Sequence, residues 1–174
     1  MATTLSPYIL KKYPNPYFLE TGTSDGSGVE LALNYPYEQI ISIEINQELQ
    51  EQNKIKFSSY IKDNKLNLIT GDSLLCLKNS IKNLNKPTTF WLDAHVDHGP
   101  KGTKPCPLYE ELEAIGSSYL KNHTILIDDL RILGHHWGAG ITLEALKEKI
   151  IKINPNYEFT LEDGIQPNDI LAAT

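Results

Sequence analysis

Carboxylate side chains that could bind a metal ion follow two apolar runs of this 174-residue chain. Asp93 comes directly after the run TTFWL, and Asp128 and Asp129 come directly after TILI. Three carboxylates that converge on one point are costly unless a cation neutralises them. Because oxygen ligands of this kind suit magnesium, the pattern predicts a metal site formed by these three residues. The plainer interpretation is that Asp128 and Asp129 only begin a loop.

Further polar and basic residues follow Asp93 within the segment DAHVDHGPKGTK: His95, Asp97, His98, Lys101 and Lys104. An unperturbed histidine titrates at about pH 6.5, so His95 is a candidate general base. The two lysines could meet an anionic substrate or be solvated. The string DAHVD also resembles the D-A-H-x-D metal motif of arginase-type ureohydrolases. The chain lacks that family's upstream Gly-Asp-His and later Asp-x-Asp.

A glycine-rich turn follows the first apolar run, with Gly22, Gly26 and Gly28 spaced as G-x-x-x-G-x-G. This spacing differs from the dinucleotide fingerprint G-x-G-x-x-G, so a nicotinamide cofactor is disfavoured. The free N–H groups of a helix that begins here would favour an anionic group, whereas the preceding Glu20 would suit a cationic amino group. The methionine part of S-adenosylmethionine carries both an ammonium and a carboxylate, and so matches both features. The alternative is an ordinary turn between a strand and a helix.

Acidic residues also end the second and third predicted strands. Glu44 lies about 20 residues after the glycines, where a carboxylate can accept hydrogen bonds from both hydroxyls of a ribose. Asp72 and Ser73 lie where the edge of an adenine is expected. Simpler interpretations exist for each of these positions. Glu44 could be a solvated acid followed by Asn46 as a helix cap, and Asp72 or Ser73 could cap the next helix.

Four other reactive side chains give weaker signals. Cys76 is predicted to lie in the core and Cys106 in a loop, and two cysteines make no disulfide framework. Neither thiol has a partner that indicates nucleophilic catalysis. His135 and His136 lie in a glycine-rich segment and are predicted to be solvated loop residues.

Alternating strand and helix patterns place the acidic residues at one edge of a sheet. The strand patterns cover 17–20, 39–45, 66–70, 88–92, 124–127, 157–161 and 169–172, and the helix patterns cover 29–33, 47–60, 73–81, 108–120 and 142–153. They predict an α/β fold in one domain, 1–174, with a short N-terminal helix or extension over 1–15. The sheet is expected to be Rossmann-like and doubly wound, with about seven strands, mostly parallel with an antiparallel last strand. Ligands of such sheets bind beyond the carboxyl ends of the strands, where the acidic residues are expected.

Five strings, in order, resemble the motifs of class I S-adenosylmethionine-dependent methyltransferases: FLETGTSDG, SIEIN, TGDS, FWLDAH and ILIDDL. They are most similar to the magnesium-dependent catechol O-methyltransferase type. The strings ETGT and WLDxH are also similar to small bacterial or viral methyltransferases without an assigned substrate. The resemblance covers roughly residues 16–174.

This resemblance implies S-adenosylmethionine and Mg²⁺ as cofactors and assigns roles to individual residues. The implied cofactor-binding residues are Glu20, Thr21, Gly22, Thr23, Gly26, Ser27, Glu44, Ile45, Asp72, Ser73 and Asp93. The implied metal ligands are Asp93, Asp128 and Asp129, although the family has an asparagine at the last position. The family's general-base lysine corresponds to Val96, so the expected base is His95 first, then Lys101, Lys104 or Asp97. Asp93 is placed with His95 and the two lysines in the catalytic set.

The predicted function is metal-assisted methyl transfer from S-adenosylmethionine to an oxygen of a hydroxylated small molecule or sugar. The family's N-terminal roofing helices have no counterpart of similar length here. The acceptor site is therefore expected to be open, completed by a partner subunit, or suited to a large substrate. One alternative is a metal-dependent hydrolase that uses Asp93, His95, Asp97, Asp128 and Asp129. Another is a cofactor-binding subunit that is inactive without a partner.

Composition narrows the classes of partner. The net charge of −6 provides no basic excess, so bulk binding to nucleic acid is not expected. No apolar stretch approaches the length of about 18 residues that a membrane span requires, and no signal peptide is recognised. A cytoplasmic enzyme is the resulting expectation, and the sequence leaves homo-oligomerisation open.

Overall fold

Seven strands form one mixed sheet in a computed structural model that describes residues 4–95, 104–135 and 138–174. The strands are β1 (Tyr17–Thr21), β2 (Gln39–Glu44), β3 (Leu66–Thr70), β4 (Thr88–Leu92), β5 (Thr124–Ile127), β6 (Phe159–Glu162) and β7 (Ile170–Ala173). Their order in the sheet is β3-β2-β1-β4-β5-β7-β6. Strands β1 to β5 run parallel, and β7 runs antiparallel to both of its neighbours, β5 and β6. The predicted Rossmann-like sheet with an antiparallel last strand is therefore confirmed.

Helices cover both faces of this sheet. In the described part of the chain they are α1 (Pro7–Lys12), α2 (Ser27–Ala32), α3 (Gln47–Lys56), α4 (Ser58–Lys62), α5 (Ser73–Ile81), α6 (Leu108–Gly116) and α7 (Leu143–Ile153). One core layer packs α1, α2 and the corner between α3 and α4 against one face. The other layer packs α5, α6 and α7 against the opposite face. A short 3₁₀ turn, Leu130–Ile132, follows β5.

Strand residues alternate between the two core layers. Phe18 and Trp91 belong to the layer of α1 and α2, whereas Leu19 and Phe90 belong to the layer of α5, α6 and α7. All four side chains are fully buried. Burial of a large apolar side chain contributes about 1.5–3 kcal/mol, so both faces of these strands stabilise the fold. This two-sided burial is why the central strands read as continuous apolar runs.

Two helices differ from their sequence patterns, one because it is divided and the other because it ends early. The pattern over 47–60 forms two helices, because the backbone leaves the helical region at Phe57 (φ −106°, ψ 22°), whose ring is buried in the core. The pattern over 108–120 ends at Gly116, whose carbonyl accepts a hydrogen bond of 2.6 Å from Lys121 Nζ. Neither difference moves a predicted site residue.

The carboxyl ends of β1 to β5 lie at one edge of the sheet. Because β7 is antiparallel to β5, its first residues lie at the same edge. The register pairs Ile127 with Leu171, and continuing it places Asp169 opposite Asp129. Asp169 therefore joins the strand-end acids, although it precedes its strand.

Among the described residues, no helix combines the length and the apolar character that crossing a membrane would require.

Candidate functional site

Glu20 occupies a confined position at the end of β1. It is 2 % exposed, and its Oε1 accepts a 2.7 Å hydrogen bond from the hydroxyl of Ser42. Its Oε2 fills the space that a Cβ on Gly28 would take. Burial raises the pKa of Glu20 to about 8; the Ser42 hydrogen bond opposes this, and the charges of Asp93 and Glu44 add to it. A carboxylate in these surroundings becomes ionised more readily when a cation binds beside it.

A buried chain of polar side chains fixes Ser42. The hydroxyls of Thr23 and Ser42 lie 2.5 Å apart, and the Gln50 amide donates to the Thr23 hydroxyl (3.3 Å) and to the carbonyl of Ile69 (2.9 Å). Because Ser42 donates its only hydrogen to Glu20, Thr23 must donate to Ser42. This series of hydrogen bonds therefore directs the Ser42 hydroxyl toward the carboxylate of Glu20.

Gly22 lets the turn after β1 pass close to the end of β4. Its φ is +89°, a conformation that favours glycine, and a Cβ there would lie 2.5 Å from the carbonyl oxygen of Asp93. Its N–H donates to the carbonyl of Ile43 at 2.8 Å. The turn is thus held between β2 and β4, where a ligand at the sheet edge would meet its backbone.

Glu44 ends β2 and holds two backbone segments together. Its Oε2 accepts from the N–H of Ser24 and its Oε1 from the N–H of Asn46, both at 2.8 Å. Asn46 also caps α3, as expected, by accepting from Leu49 N at 3.1 Å. Each carboxylate oxygen of Glu44 keeps further acceptor capacity, so the residue can still bind two hydroxyls.

Asp72 is the N-cap of α5. Its Oδ1 accepts a 3.0 Å hydrogen bond from Leu74 N, so the simpler interpretation of this residue holds. The adenine role of Asp72 and Ser73 remains a prediction that is compatible with the cap.

A buried carboxylate that the sequence analysis did not identify lies beside Ser73. Glu111, in the first turn of α6, is 0 % exposed, and neither of its oxygens has a partner of normal hydrogen-bond geometry among the described residues. Burial raises the pKa of Glu111 to about 7, and the nearby hydroxyls of Ser73 and Thr21 act in the opposite direction. The pattern of 108–120 predicted a helix here, but nothing in it marked Glu111 as a buried residue.

His95 joins two of the predicted metal ligands. Its Nε2 lies 2.5 Å from Asp129 Oδ2 and 3.2 Å from Asp93 Oδ1. Burial by itself would lower the pKa of His95, but the hydrogen bonds to Asp129 and Asp93 raise it to about 10. The imidazole is therefore protonated at neutral pH in this arrangement. The general-base role predicted for His95 stays a prediction and requires these pairs to open.

Arg131 links the ends of β5 and β7. Its Nη1 lies 2.5 Å from Asp129 Oδ1 and also forms an ion pair with Asp169 Oδ2. The backbone N–H of Arg131 donates to Asp169 Oδ1 at 3.0 Å. Burial opposes ionisation of Asp129, but His95 and Arg131 together hold its pKa below the usual range.

Asp128 faces the N-terminal segment. Its Oδ2 accepts a hydrogen bond from the hydroxyl of Thr4, while its Oδ1 has no hydrogen-bond partner among the described residues. Burial and then the charge of Asp93 raise the pKa of Asp128 to about 7. Thr4 belongs to the stretch before β1 that the sequence analysis left without a role.

The acidic residues form two groups rather than one. Within the described part of the chain, ligand atoms lie within 4.8 Å of one another in the set Asp93, His95 and Asp129, and in the set Asp128, Asp129 and Asp169. The predicted metal trio is therefore divided between two groups that share Asp129. Each group already contains or contacts a protein cation, His95 in the first and Arg131 in the second.

Other predicted residues lie apart from this cluster or outside the described residues. Lys104 is exposed and forms an ion pair with Glu110, in the first turn of α6. Ser27, the first residue of α2, and Ile45, directly after β2, are both half-buried. Cys106 lies in the loop before α6, as expected, and its side chain is buried there; His135 is exposed, as expected. The predictions for Asp97, His98, Lys101 and His136 fall on residues outside the described ranges.

Two residues that the sequence analysis missed, Arg131 and Asp169, complete the site. Arg131 is the only arginine of the chain, and its position three residues after Asp128 could have identified it as a candidate site residue. Asp169 directly precedes β7, so the expected antiparallel direction of that strand would have placed it at the site edge.

A cavity of about 350 Å³ opens beside Arg131 at the same edge. Its apolar lining comes from the 3₁₀ turn and the start of α7, and polar groups come from Thr142, Gln166 and Asn168. The cavity is next to the charged cluster through Arg131, which contacts Asp129.

No known protein family matches the chain in a scan of family profiles, and no curated protein matches it in sequence. Solved structures do share its fold. A Podospora anserina methyltransferase, PaMTH1, bound to S-adenosylhomocysteine aligns with a TM-score of 0.65 at 13% identity, over 98% of this chain and 79% of that one. An O-methyltransferase from Bacillus cereus in complex with the same ligand aligns with a TM-score of 0.66 at 14% identity, over 98% and 82%.

The same fold also occurs in a neighbour that is not named a methyltransferase. Spermidine synthase from Thermotoga maritima aligns with a TM-score of 0.59 at 14% identity, over 92% of this chain and 53% of that one. At these identities the likeness establishes the fold of the class I methyltransferases, and the reaction must be argued from the site.

Proposed function

We propose that this chain is an S-adenosylmethionine-dependent methyltransferase that acts on an oxygen of a hydroxylated acceptor. The observation that carries the proposal is the pair of confined carboxylates at the ends of β1 and β2. Glu20 and Glu44 flank a glycine turn that passes against the end of β4. This arrangement offers one acid to an amino group and a second acid to a pair of hydroxyls.

The negative charge at this edge of the sheet suits a cofactor that carries positive charge. Among the described residues, the acids at this edge include Glu20, Asp25, Glu44, Asp72, Asp93, Glu111, Asp128, Asp129 and Asp169, and the cations that pair with them are His95 and Arg131. When bound, the cofactor supplies an electrophilic methyl group on a positively charged sulfur. Glu20 would hold its ammonium, Glu44 its ribose hydroxyls and Asp72 the adenine end.

Asp93 is the described carboxylate best placed to take a proton from an acceptor. Its side chain is 21% exposed, more than those of His95 and Asp129, which it adjoins. Burial raises the pKa of Asp93, which makes the carboxylate a stronger base than an ordinary aspartate. His95 would hold Asp93 in place through its 3.2 Å contact. Most of the rate would come from alignment of the acceptor oxygen with the methyl group.

The cavity beside Arg131 is the proposed acceptor site. Its aliphatic lining and its hydroxyl and amide groups suit a sugar or another hydroxylated ligand with an apolar face. O-methylation in particular is supported by the raised pKa of Asp93, which helps that carboxylate to accept a proton from a hydroxyl, and by the likeness in fold to the Bacillus cereus O-methyltransferase.

Calorimetric titration with S-adenosylhomocysteine tests the cofactor part of the proposal. We expect micromolar affinity that strengthens between about pH 6.5 and pH 8.5, because Glu20 must ionise to hold the ammonium. The variant Glu20→Gln should bind at least about tenfold more weakly and lose most of this pH dependence. Glu113→Gln, an exposed acid in α6, is the matched control and should bind like the wild type. Absence of binding by the wild-type protein would refute the proposal.

An acceptor screen with isotopically labelled S-adenosylmethionine tests the transfer. Labelled methyl should appear on a hydroxylated acceptor, and Asp93→Asn should reduce transfer by about 100-fold or more when the cofactor is saturating. Transfer to nitrogen would correct the acceptor class. Binding without transfer to any acceptor would instead favour the alternative of a subunit that needs a partner.

A further inference from the structure

We infer that Arg131 takes the place of a divalent metal at this site, so that the protein binds no Mg²⁺ there and its reaction needs none. The part that concerns ion binding stands on the ion pairs alone. The part that concerns the reaction rests on the proposed function. The inference departs from the magnesium-dependent type that the sequence resembles.

Protein cations already contact the oxygens of Asp129 and Asp169, the two acids nearest Arg131, that a magnesium ion would use. Arg131 Nη1 contacts Asp129 Oδ1 and Asp169 Oδ2, and the N–H of Arg131 donates to Asp169 Oδ1. His95 Nε2 contacts Asp129 Oδ2. Asp129 Oδ2 and both oxygens of Asp169 therefore have hydrogen-bond partners, while Asp129 Oδ1 has only its ion pair with Arg131, without hydrogen-bond geometry.

Arg131 is also fixed in place by these contacts. Asp169 is 0 % exposed and Asp129 is 5 % exposed, so loss of the guanidinium would leave Asp169 with only the backbone N–H of Arg131 and Asp129 with only His95. An uncompensated buried charge is strongly destabilising. A metal that enters would have to displace Arg131 and replace all of its contacts with both acids, at the cost of its own dehydration.

Electrostatic repulsion acts against a metal that enters while Arg131 stays. A guanidinium is charged at every accessible pH, and Asp129 lies within 2.5 Å of both Arg131 and His95. A dication bound to Asp129 would lie within a few ångströms of Arg131, in surroundings where like charges repel strongly. The metal ligands predicted from the sequence therefore do not fit an ion as they are arranged here.

Removal of the guanidinium should convert the cluster into a metal site. Carboxylate oxygens of Asp128, Asp129 and Asp169 lie within 4.8 Å of one another, and Arg131→Gln would remove the guanidinium that neutralises two of these acids. An acid group of this kind binds Mg²⁺ or Mn²⁺ through oxygen. The double variant Arg131→Gln/Asp129→Asn removes one of the charges as well and is the matched control.

The test is calorimetry and thermal unfolding with MgCl₂ and MnCl₂ alone, without cofactor or acceptor. The wild-type protein should show no heat of binding when either ion is titrated into it. Its Tm should be unchanged by about 5 mM of either ion and by prior treatment with a chelator. Arg131→Gln should melt below the wild type and regain about 5 °C or more when either ion is added. The double variant should not respond.

Submillimolar binding of one Mg²⁺ or Mn²⁺ ion by the wild-type protein would overturn the inference, and that measurement decides even if Arg131→Gln does not fold. The inference would also be overturned by a folded Arg131→Gln protein that binds neither ion and whose Tm neither ion raises. Because neither readout uses methyl transfer, failure of the proposed function would not be mistaken for failure of this inference.

Discussion

The carboxylate of Glu20 occupies the space that a side chain at Gly28 would need. A Cβ built on Gly28 would overlap Glu20 Oε2, although Gly28 itself lies in the first turn of α2 and Glu20 in β1. The backbone of Gly28 is helical, so its conformation does not require glycine. The close approach of a buried acid explains the glycine instead.

Gly28→Ala should displace the Glu20 carboxylate. We expect a loss of about 1–3 kcal/mol in the free energy of unfolding, as for other overpacked sites, together with weaker binding of S-adenosylhomocysteine. Gly116→Ala is a suitable control, because a Cβ there would make an ordinary 3.4 Å contact with Ile153. Urea unfolding and calorimetry of both variants check the prediction, which fails if the two variants behave alike.

Glu111→Gln should stabilise the protein in a pH-dependent way. Glu111 has a folded-state pKa raised to about 7, so the unfolded chain loses this proton before the folded protein does. The wild type therefore loses stability as pH rises from about 4.5 to about 7, and the loss is complete above that range. The urea concentration at the midpoint of unfolding should be slightly higher for the variant than for the wild type at acidic pH. The difference should increase with pH and become constant above about pH 7. A constant difference across this range would contradict the assigned shift.

Glu44→Gln should weaken cofactor binding while the fold is retained. The amide keeps one acceptor oxygen, so either the Ser24 or the Asn46 N–H loses its carboxylate partner. We expect a decrease of about 10- to 100-fold in affinity for S-adenosylhomocysteine, from lost charge-assisted hydrogen bonds. An analogue that lacks the ribose 2′-hydroxyl should bind the wild type and the variant with a smaller difference. Equal losses for both ligands would remove Glu44 from ribose binding.

His123 should remain neutral to unusually low pH. Burial lowers its pKa to about 4, and Thr88 N donates to its Nδ1 at 3.2 Å. Nε2 must then carry the hydrogen and donate to Ser118 Oγ at 2.9 Å. The unfolded chain binds a proton at about pH 6.5, so stability should be lost as pH falls from there to about 4. Nitrogen chemical shifts should show the Nε2–H tautomer at about pH 5.5, and an imidazolium at that pH would disprove the assignment.

The positions of Glu20 and Glu44 at the ends of β1 and β2 were predicted from the sequence, whereas their binding roles stay predictions. Glu20 and Glu44 end strands whose β-branched and aromatic runs define them, and a parallel sheet brings such ends to one edge. The role of Asn46 as a helix cap also followed from local pattern, because it depends on residues within one turn. Glu111 did not follow, since its burial depends on how α6 packs beside α5.

The sequence by itself determined the order of strands and helices, the edge of the sheet where acids gather, and the place of each acid in the chain. The tertiary structure alone decided how the charges of those acids are balanced. Asp169 reaches Asp129 because β7 is antiparallel to β5, and Arg131 then lies between them. Local pattern sets secondary structure, whereas the neutralisation of a buried charge depends on distances of a few ångströms between residues far apart in the chain.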